Sequence, residues 1–295
     1  MSPPSTSTLD HIVHLTPPGT VEETSEQFRK LGFNVVPGGT HAGGLTANAL
    51  VVLQDGVYLE LIAFTKPISA YPPGSKERQQ RGAHYWATKT PGWIDYAFLG
   101  AAHSSPSISD IINARAKSEH SGVEYLPESN GGRERPDGKA LKWVINSPHK
   151  SHGRGNVPFF CGDVTPREWR VPVDPPSNTH HPSSALGIAH VRVLAEPETF
   201  KALSKQLTSV IGTQPDVTSE SESIWSLHTV GVPSAQASRN ATPKLVLSTP
   251  RDSEERASVE SRGAGIYEVA FFVDKGGEAG TVDTPYGKIV WTPQS

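Results

Sequence analysis

The chain has 295 residues, 35% of them apolar, a formal net charge of −3 and one cysteine. That length suits two compact units of roughly 100–200 residues each, with enough apolar material for a core. Cys161 has no second cysteine to pair with, so no intrachain disulfide holds the fold. Basic residues are not massed in one segment, which argues against a nucleic-acid surface. The opening MSPPSTSTLD lacks a basic and apolar leader pattern, and no apolar run approaches the ~18 residues that cross a bilayer. The expectation is a soluble cytoplasmic protein with no nucleic-acid or membrane partner. Its 27 Gly and 26 Pro point to many turns and short strands.

In chain order, Leu9 to Leu15 reads as a strand of aliphatic and β-branched residues. A Pro-Pro-Gly break precedes a helix from Val21 to Leu31, with Thr20 and Glu23 in capping-box spacing and Gly32 as C-cap. Phe33 to Val36 is a strand, 38–44 a Gly-rich loop, and Ala49 to Leu53 a further strand. Asp55-Gly56 turns the chain into Val57 to Ile62. The unit is β-α-β-β-β. Residues 66–90 form a crossover with one short helix.

The order then repeats. Trp93 to Leu99 is a strand, Ser107 caps a helix to about Glu119, and Gly122 to Leu126 is extended. Asp137-Gly138 turns into Ala140 to Ile145, and Val157 to Cys161 closes the second unit. Residues 166–184, rich in Pro, His and Asn, form a joint in which His180-His181 is a solvated pair. A third unit starts at Gly187 to Val193, followed by a helix from Pro197 to Ile211 and strands at Ile224 to Val230 and Lys244 to Leu247. A truncated fourth begins at Ile266 to Phe272 and ends at Lys288 to Trp291. Residues 219–223, 231–243 and 248–261 read as exposed loops.

Side chains alternate along a strand, so Asp10 and Ile12 should point away from His11 and Val13. Glu60 lies in an otherwise apolar strand, where an acid is costly unless it meets a cation, a metal or a donor. A His and a carboxylate converging on one cavity suit a divalent metal or an acid–base pair. The plain alternative for His11 is a hydrogen-bonded core histidine, and for Cys161 a small buried apolar residue. Phosphate-loop, dinucleotide and Gly-x-Ser-x-Gly patterns are missing, so no nucleotide cofactor is expected.

The run Leu-Asp-His-Ile-Val-His from Leu9, Gly-Phe-Asn-Val-Val-Pro-Gly-Gly-Thr-His from Gly32, then Asn48 and Tyr-Leu-Glu-Leu-Ile from Tyr58 resemble a known domain. It is the glyoxalase-like domain of the vicinal oxygen chelate superfamily, which includes bleomycin-resistance proteins and dihydroxybiphenyl dioxygenases. Arg135-Pro136-Asp137-Gly138 with Leu141-Lys142-Trp143 resembles that domain's second half, and the likeness extends over about residues 8–175.

The resemblance implies an α+β fold, with tandem βαβββ units forming curved mixed sheets around a cavity and helices outside. It implies a glyoxalase-like domain over 8–165, a linker over 166–185 and a degenerate second half over 186–295. His11 and Glu60 match one metal-ligand pair and are the candidate catalytic residues. His41, Asn48, Asp95 and Trp143 are candidate substrate contacts. Asp95 stands where a second-unit ligand is usual, but Val157 to Cys161 offers no carboxylate to join it. His190, with Glu268 opposing it, is a weaker echo in the second half. The expected function is a lyase, isomerase or dioxygenase acting on a small oxygenated metabolite, with a divalent metal admitted. The alternatives are a binding protein that sequesters small molecules and tandem units serving protein contacts; a homodimer is compatible with each.

Overall fold

A computed structural model describes residues 3–135, 137–230, 242–284 and 286–294. The expected loop 231–243 falls largely outside them, as does Pro136. The first half forms β1 (Leu9–Thr16), α1 (Val21–Lys30), β2 (Val36–His41), β3 (Thr46–Val52), β4 (Tyr58–Phe64) and α2 (Lys76–Ala83). It continues through β5 (Gly92–Leu99), α3 (Ile108–Glu119), β6 (Ser129–Glu134), β7 (Ala140–Asn146), β8 (Phe159–Asp163) and a short α4 (Arg167–Arg170). Its strands close into a barrel in the order β1-β4-β3-β2-β6-β7-β8-β5.

The barrel has two seams. One is the antiparallel pairing of the two first strands, β1 with β5; the other is the short β2–β6 contact, where His41 faces Arg133. Alternation sorts each wall. On β4, Tyr58, Glu60 and Ile62 face the lumen, while Leu59 and Leu61 join the outer core with Phe28 of α1 and Ile112 of α3.

The second half contains β9 (Ala185–Leu194), α5 (Pro197–Ile211), β10 (Val217–Thr218), β11 (Glu222–Ser226), β12 (Lys244–Ser248), α6 (Ser253–Arg262), β13 (Gly265–Val273), β14 (Gly280–Thr284) and β15 (Gly287–Pro293). Its sheet order, β10-β11-β12-β9-β13-β15-β14, repeats the barrel's logic but does not close. β9 pairs parallel with β12 and antiparallel with β13, as β1 does with β4 and β5. The fourth unit passes from its first strand to β14 with neither a helix nor a second strand between. One continuous apolar core joins α1, α3 and the outer barrel wall to α5, Trp225, Val269 and Phe271 of the second half.

Several local expectations are corrected. Thr20 does not cap α1 through its side chain; its hydroxyl donates to the Pro17 carbonyl at 2.8 Å. Phe33 to Val35 is not a strand, and the supposed loop 38–44 is largely β2. The glycines there serve close approach: a Cβ on Gly38 would lie 2.0 Å from Asn48 Oδ1, and one on Gly39 2.2 Å from the Glu134 carbonyl. Gly122 to Leu126 forms only an isolated bridge, and the true strand is β6, whose Ser-Asn-Gly-Gly-Arg-Glu lacks β-formers.

The segment 248–261 is mostly α6, capped by Asp252 and anchored where Glu255 accepts from both Arg192 terminal nitrogens at 2.6 and 2.8 Å. His181 is buried rather than solvated. Its Nδ1 accepts from the Asn34 amide, which leaves Nε2–H to donate to the Val52 carbonyl at 3.0 Å.

His14 lies fully buried between the halves, edge-on to Phe28 and Trp93, with its Nε2 3.3 Å from Thr284 Oγ1. Burial, reinforced by the nearby Arg262 charge, pushes its pKa down to about 3. The unfolded chain therefore binds a proton that the folded chain refuses below about pH 6.5. His14→Phe should flatten the acid limb of stability by up to roughly 1.4 kcal/mol per pH unit between the two values. Urea unfolding of both proteins at pH 7, 5 and 4 checks this; parallel losses would overturn it.

Candidate functional site

The lumen holds a cavity of about 260 Å³. Its polar wall comes from the first unit and the seam: His11 on β1, His41 on β2, Asn48 on β3, Glu60 on β4 and Arg133 on β6. Its apolar wall includes Ile62, Trp86, Trp143, Ile145 and Phe159. Cys161 also faces the cavity, and burial pushes its thiol well above the usual range, so it is a poor nucleophile here.

Glu60 is the hub. Its Oε1 accepts from Asn48 Nδ2 at 2.5 Å and lies 3.5 Å from His41 Nε2; its Oε2 lies 3.9 Å from His11 Nε2. Asn48 is oriented from behind, since its Oδ1 accepts the Gly39 N–H at 3.1 Å. His41 Nδ1 sits 2.9 Å from Thr46 Oγ1. Burial pushes the His41 pKa down, against an opposing pull from Glu60. Assigned from this network, the Thr46 hydroxyl donates to Nδ1, and neutral His41 presents Nε2–H to the cavity.

His11 is held more rigidly. It stacks on Tyr58 with ring centroids 4.7 Å apart, and its Nδ1 lies 2.6 Å from Asp10 Oδ2. Strand alternation would have put Asp10 on the other face. Instead β1 carries a bulge: Leu9 pairs with Phe98 and His11 with Ala97, so two β1 residues span one step of β5. Asp10 and His11 thereby share one hydrogen-bond network. Behind them, Arg170 donates to Asp10 at 2.8 and 3.2 Å, to Tyr58 Oη at 2.9 Å, and to Asp163 at 2.5 and 2.8 Å. Arg167 also binds Asp10 and Asp163.

Burial alone would push the Asp10 carboxyl up, but the two guanidiniums and His11 hold it well below the usual carboxylate range. It stays ionised, keeps a proton on His11 Nδ1 and leaves Nε2 facing Glu60. Both arginines lie in the segment read as a plain joint, where no pattern of residues pointed to a place in the site.

Trp143 reaches the cavity, and Gly131 makes room for it: a Cβ there would meet the indole nitrogen at 2.2 Å. Asp95 is elsewhere. It accepts from Trp86 Nε1 at 2.8 Å and Arg154 Nε at 2.5 Å, fully buried and outside the cavity lining. His190 Nε2 meets Glu268 Oε1 at 3.2 Å on the open second sheet, also outside the lining. Sequence reasoning missed His84, Trp86, Arg133 and Arg170, which lie on the crossover, an unpromising strand and the joint.

Among the described residues, no three His, Cys, Asp or Glu side chains are grouped so as to hold a metal ion. Asp95 is consumed by Arg154 and Trp86, and Asn48 already donates to one Glu60 oxygen. His11, His41 and Glu60 are thereby left without the second-unit ligand expected of Asp95. Protein incubated with Zn²⁺ or Mn²⁺ and desalted is expected to retain no stoichiometric metal; retention abolished by His11→Ala would overturn this.

A family model described as a glyoxalase-like domain matches residues 9–211. No curated protein matches the sequence. A hypothetical protein from Staphylococcus aureus superposes with a TM-score of 0.65 at 11% identity, covering 97% of this chain and 99% of that one. A mutant 4-hydroxymandelate synthase from Streptomyces coelicolor superposes with a TM-score of 0.53 at 14% identity, covering 91% and 71%. At these identities the likeness to the solved structures is one of fold.

Proposed function

The chain belongs to the glyoxalase-like domain family, and on that footing we propose that it is a proton-transfer enzyme, of isomerase or lyase type, acting on a small carbonyl compound. The observation that carries the reading is Glu60, buried in a cavity wall between two imidazoles and fixed by the Asn48 amide. A carboxylate so placed can take a proton from carbon beside a carbonyl. The Nε2–H of His41 can donate to the carbonyl oxygen as charge develops there. His11 Nε2, 3.9 Å from the carboxylate and steadied by Asp10, is the second acid–base group, able to relay the proton to another position.

The test is hydrogen exchange in deuterated water. Protein incubated with a panel of small aldehydes, ketones and 2-oxo acids should catalyse exchange at the carbon beside the carbonyl, read by NMR. Tight binding of a panel member without exchange would favour sequestration instead.

A further inference from the structure

The arginines around the barrel differ in how their charge is met. Arg170 and Arg167 are enclosed by Asp10 and Asp163, and Arg154 by Asp95. Arg133 is not enclosed in this way. It is 5% exposed, its Nη2 donates only to the Arg170 carbonyl at 3.1 Å, and its Nη1 has no hydrogen-bond partner among the described residues. Glu60 offers it attraction at longer range without a hydrogen bond. A guanidinium that is buried and incompletely paired is costly, and burial pushes its pKa down.

The fold goes to some length to place this side chain. β6 meets β2 at the seam with Arg133 opposite His41, and Gly39 lets the strands approach, with a Cβ there 3.6 Å from the Arg133 Nη1. The guanidinium lines the same cavity as Glu60, together with Trp86, Trp143 and Phe159.

We infer that Arg133 is the anion-binding residue of the cavity and that the natural ligand carries a carboxylate, joined to an apolar body that lies against the tryptophans. The guanidinium, which lines the cavity, donates to a carboxylate oxygen by turning toward it the buried Nη1 that the protein leaves without a partner. This deepens the proposed function by naming a substrate class, carboxylate-bearing carbonyl compounds, and rests on the reading of this cavity as the ligand site. Carboxylate recognition does not need the Glu60 proton transfer, so the two fail separately.

The experiment compares acetate with acetamide and phenylacetate with phenylacetamide, pairs matched in shape and differing in charge. Binding is followed by quenching of tryptophan fluorescence and by the shift in melting temperature. Wild-type protein should bind at least one carboxylate into the millimolar range and prefer it to its amide by roughly ten- to a hundred-fold, the span of a charge-assisted hydrogen bond. Arg133→Met should abolish the preference, and Arg133→Lys should keep part of it. The ligand-free Arg133→Met protein should melt no lower than wild type, because it sheds a poorly paired buried charge.

Equal affinity for acid and amide, no carboxylate binding at all, or an Arg133→Met protein that keeps its preference would each overturn the inference. So would an Arg133→Met protein that melts well below wild type, because the side chain would then be structural. Carboxylate preference without catalysed exchange would sink the proton-transfer reading alone.

Discussion

Glu60→Gln is expected to slow catalysed carbon–hydrogen exchange by roughly two to four orders of magnitude, the usual contribution of a positioned general base. The substitution is nearly isosteric, and the Asn48 Nδ2 that donates to Glu60 Oε1 at 2.5 Å can donate equally to a glutamine carbonyl oxygen. The fold and the cavity shape should therefore survive, and only the ability to accept a proton is lost. His11→Gln should cost less in exchange into a single position than in the conversion of substrate to product, because it removes the second acid–base group and spares the first. Exchange rates by NMR, read beside melting temperatures, check both. A Glu60→Gln protein within a factor of about three of wild type would place the base elsewhere.

The second large effect concerns stability. Arg170 donates to Asp10, Asp163 and Tyr58 from inside the barrel. Arg170→Met should cost about 3–5 kcal/mol, because it strands buried carboxylates with Arg167 as their remaining guanidinium. Asp10 adds a pH signature. Its folded pKa is depressed, so its contribution is full above the unfolded value near ~3.9 and is lost as pH falls through the folded value. Asp10→Asn should lack that part of the acid limb. The Asp10→Asn/Arg170→Met double variant should be less destabilised than the two single changes added together. Urea titrations at pH 7, at pH 4 and at about pH 2.5, below the unfolded carboxylate value, measure all of this; an Arg170→Met cost below about 1 kcal/mol would mean the network is not structural.

Much of the frame was legible because it follows from period and punctuation. β1 and β4 were found from their apolar runs, α5 from apolar residues at helical period, and α3 from Ser107, which forms the capping box with Asp110 at its start. His11 and Glu60 were legible because polar groups inside apolar strands need a reason. What escaped detection had a different physical origin. β6 holds two glycines and no β-branched residue, so its pairing is set by the barrel's closure and not by propensity. Arg133 was invisible for the same reason. Asp10 was assigned to the wrong face because a bulge is decided between strands that are distant in sequence. α6 was hidden because its mean composition is polar and one buried ion pair anchors it.

Arg167 and Arg170 stand just past the last barrel strand, and from there they reach back to fix Asp10 at its first strand. The chain thus buckles its own closure. A fragment ending at 165 would lose both clasps. It would also bare Phe33 and Trp93, on which the second half rests through Phe271 and Trp291 against Phe33 and through the Lys288 carbonyl that accepts from Trp93 Nε1. The C-terminal half, whose sheet does not close a lumen of its own, is in this sense the barrel's backing plate.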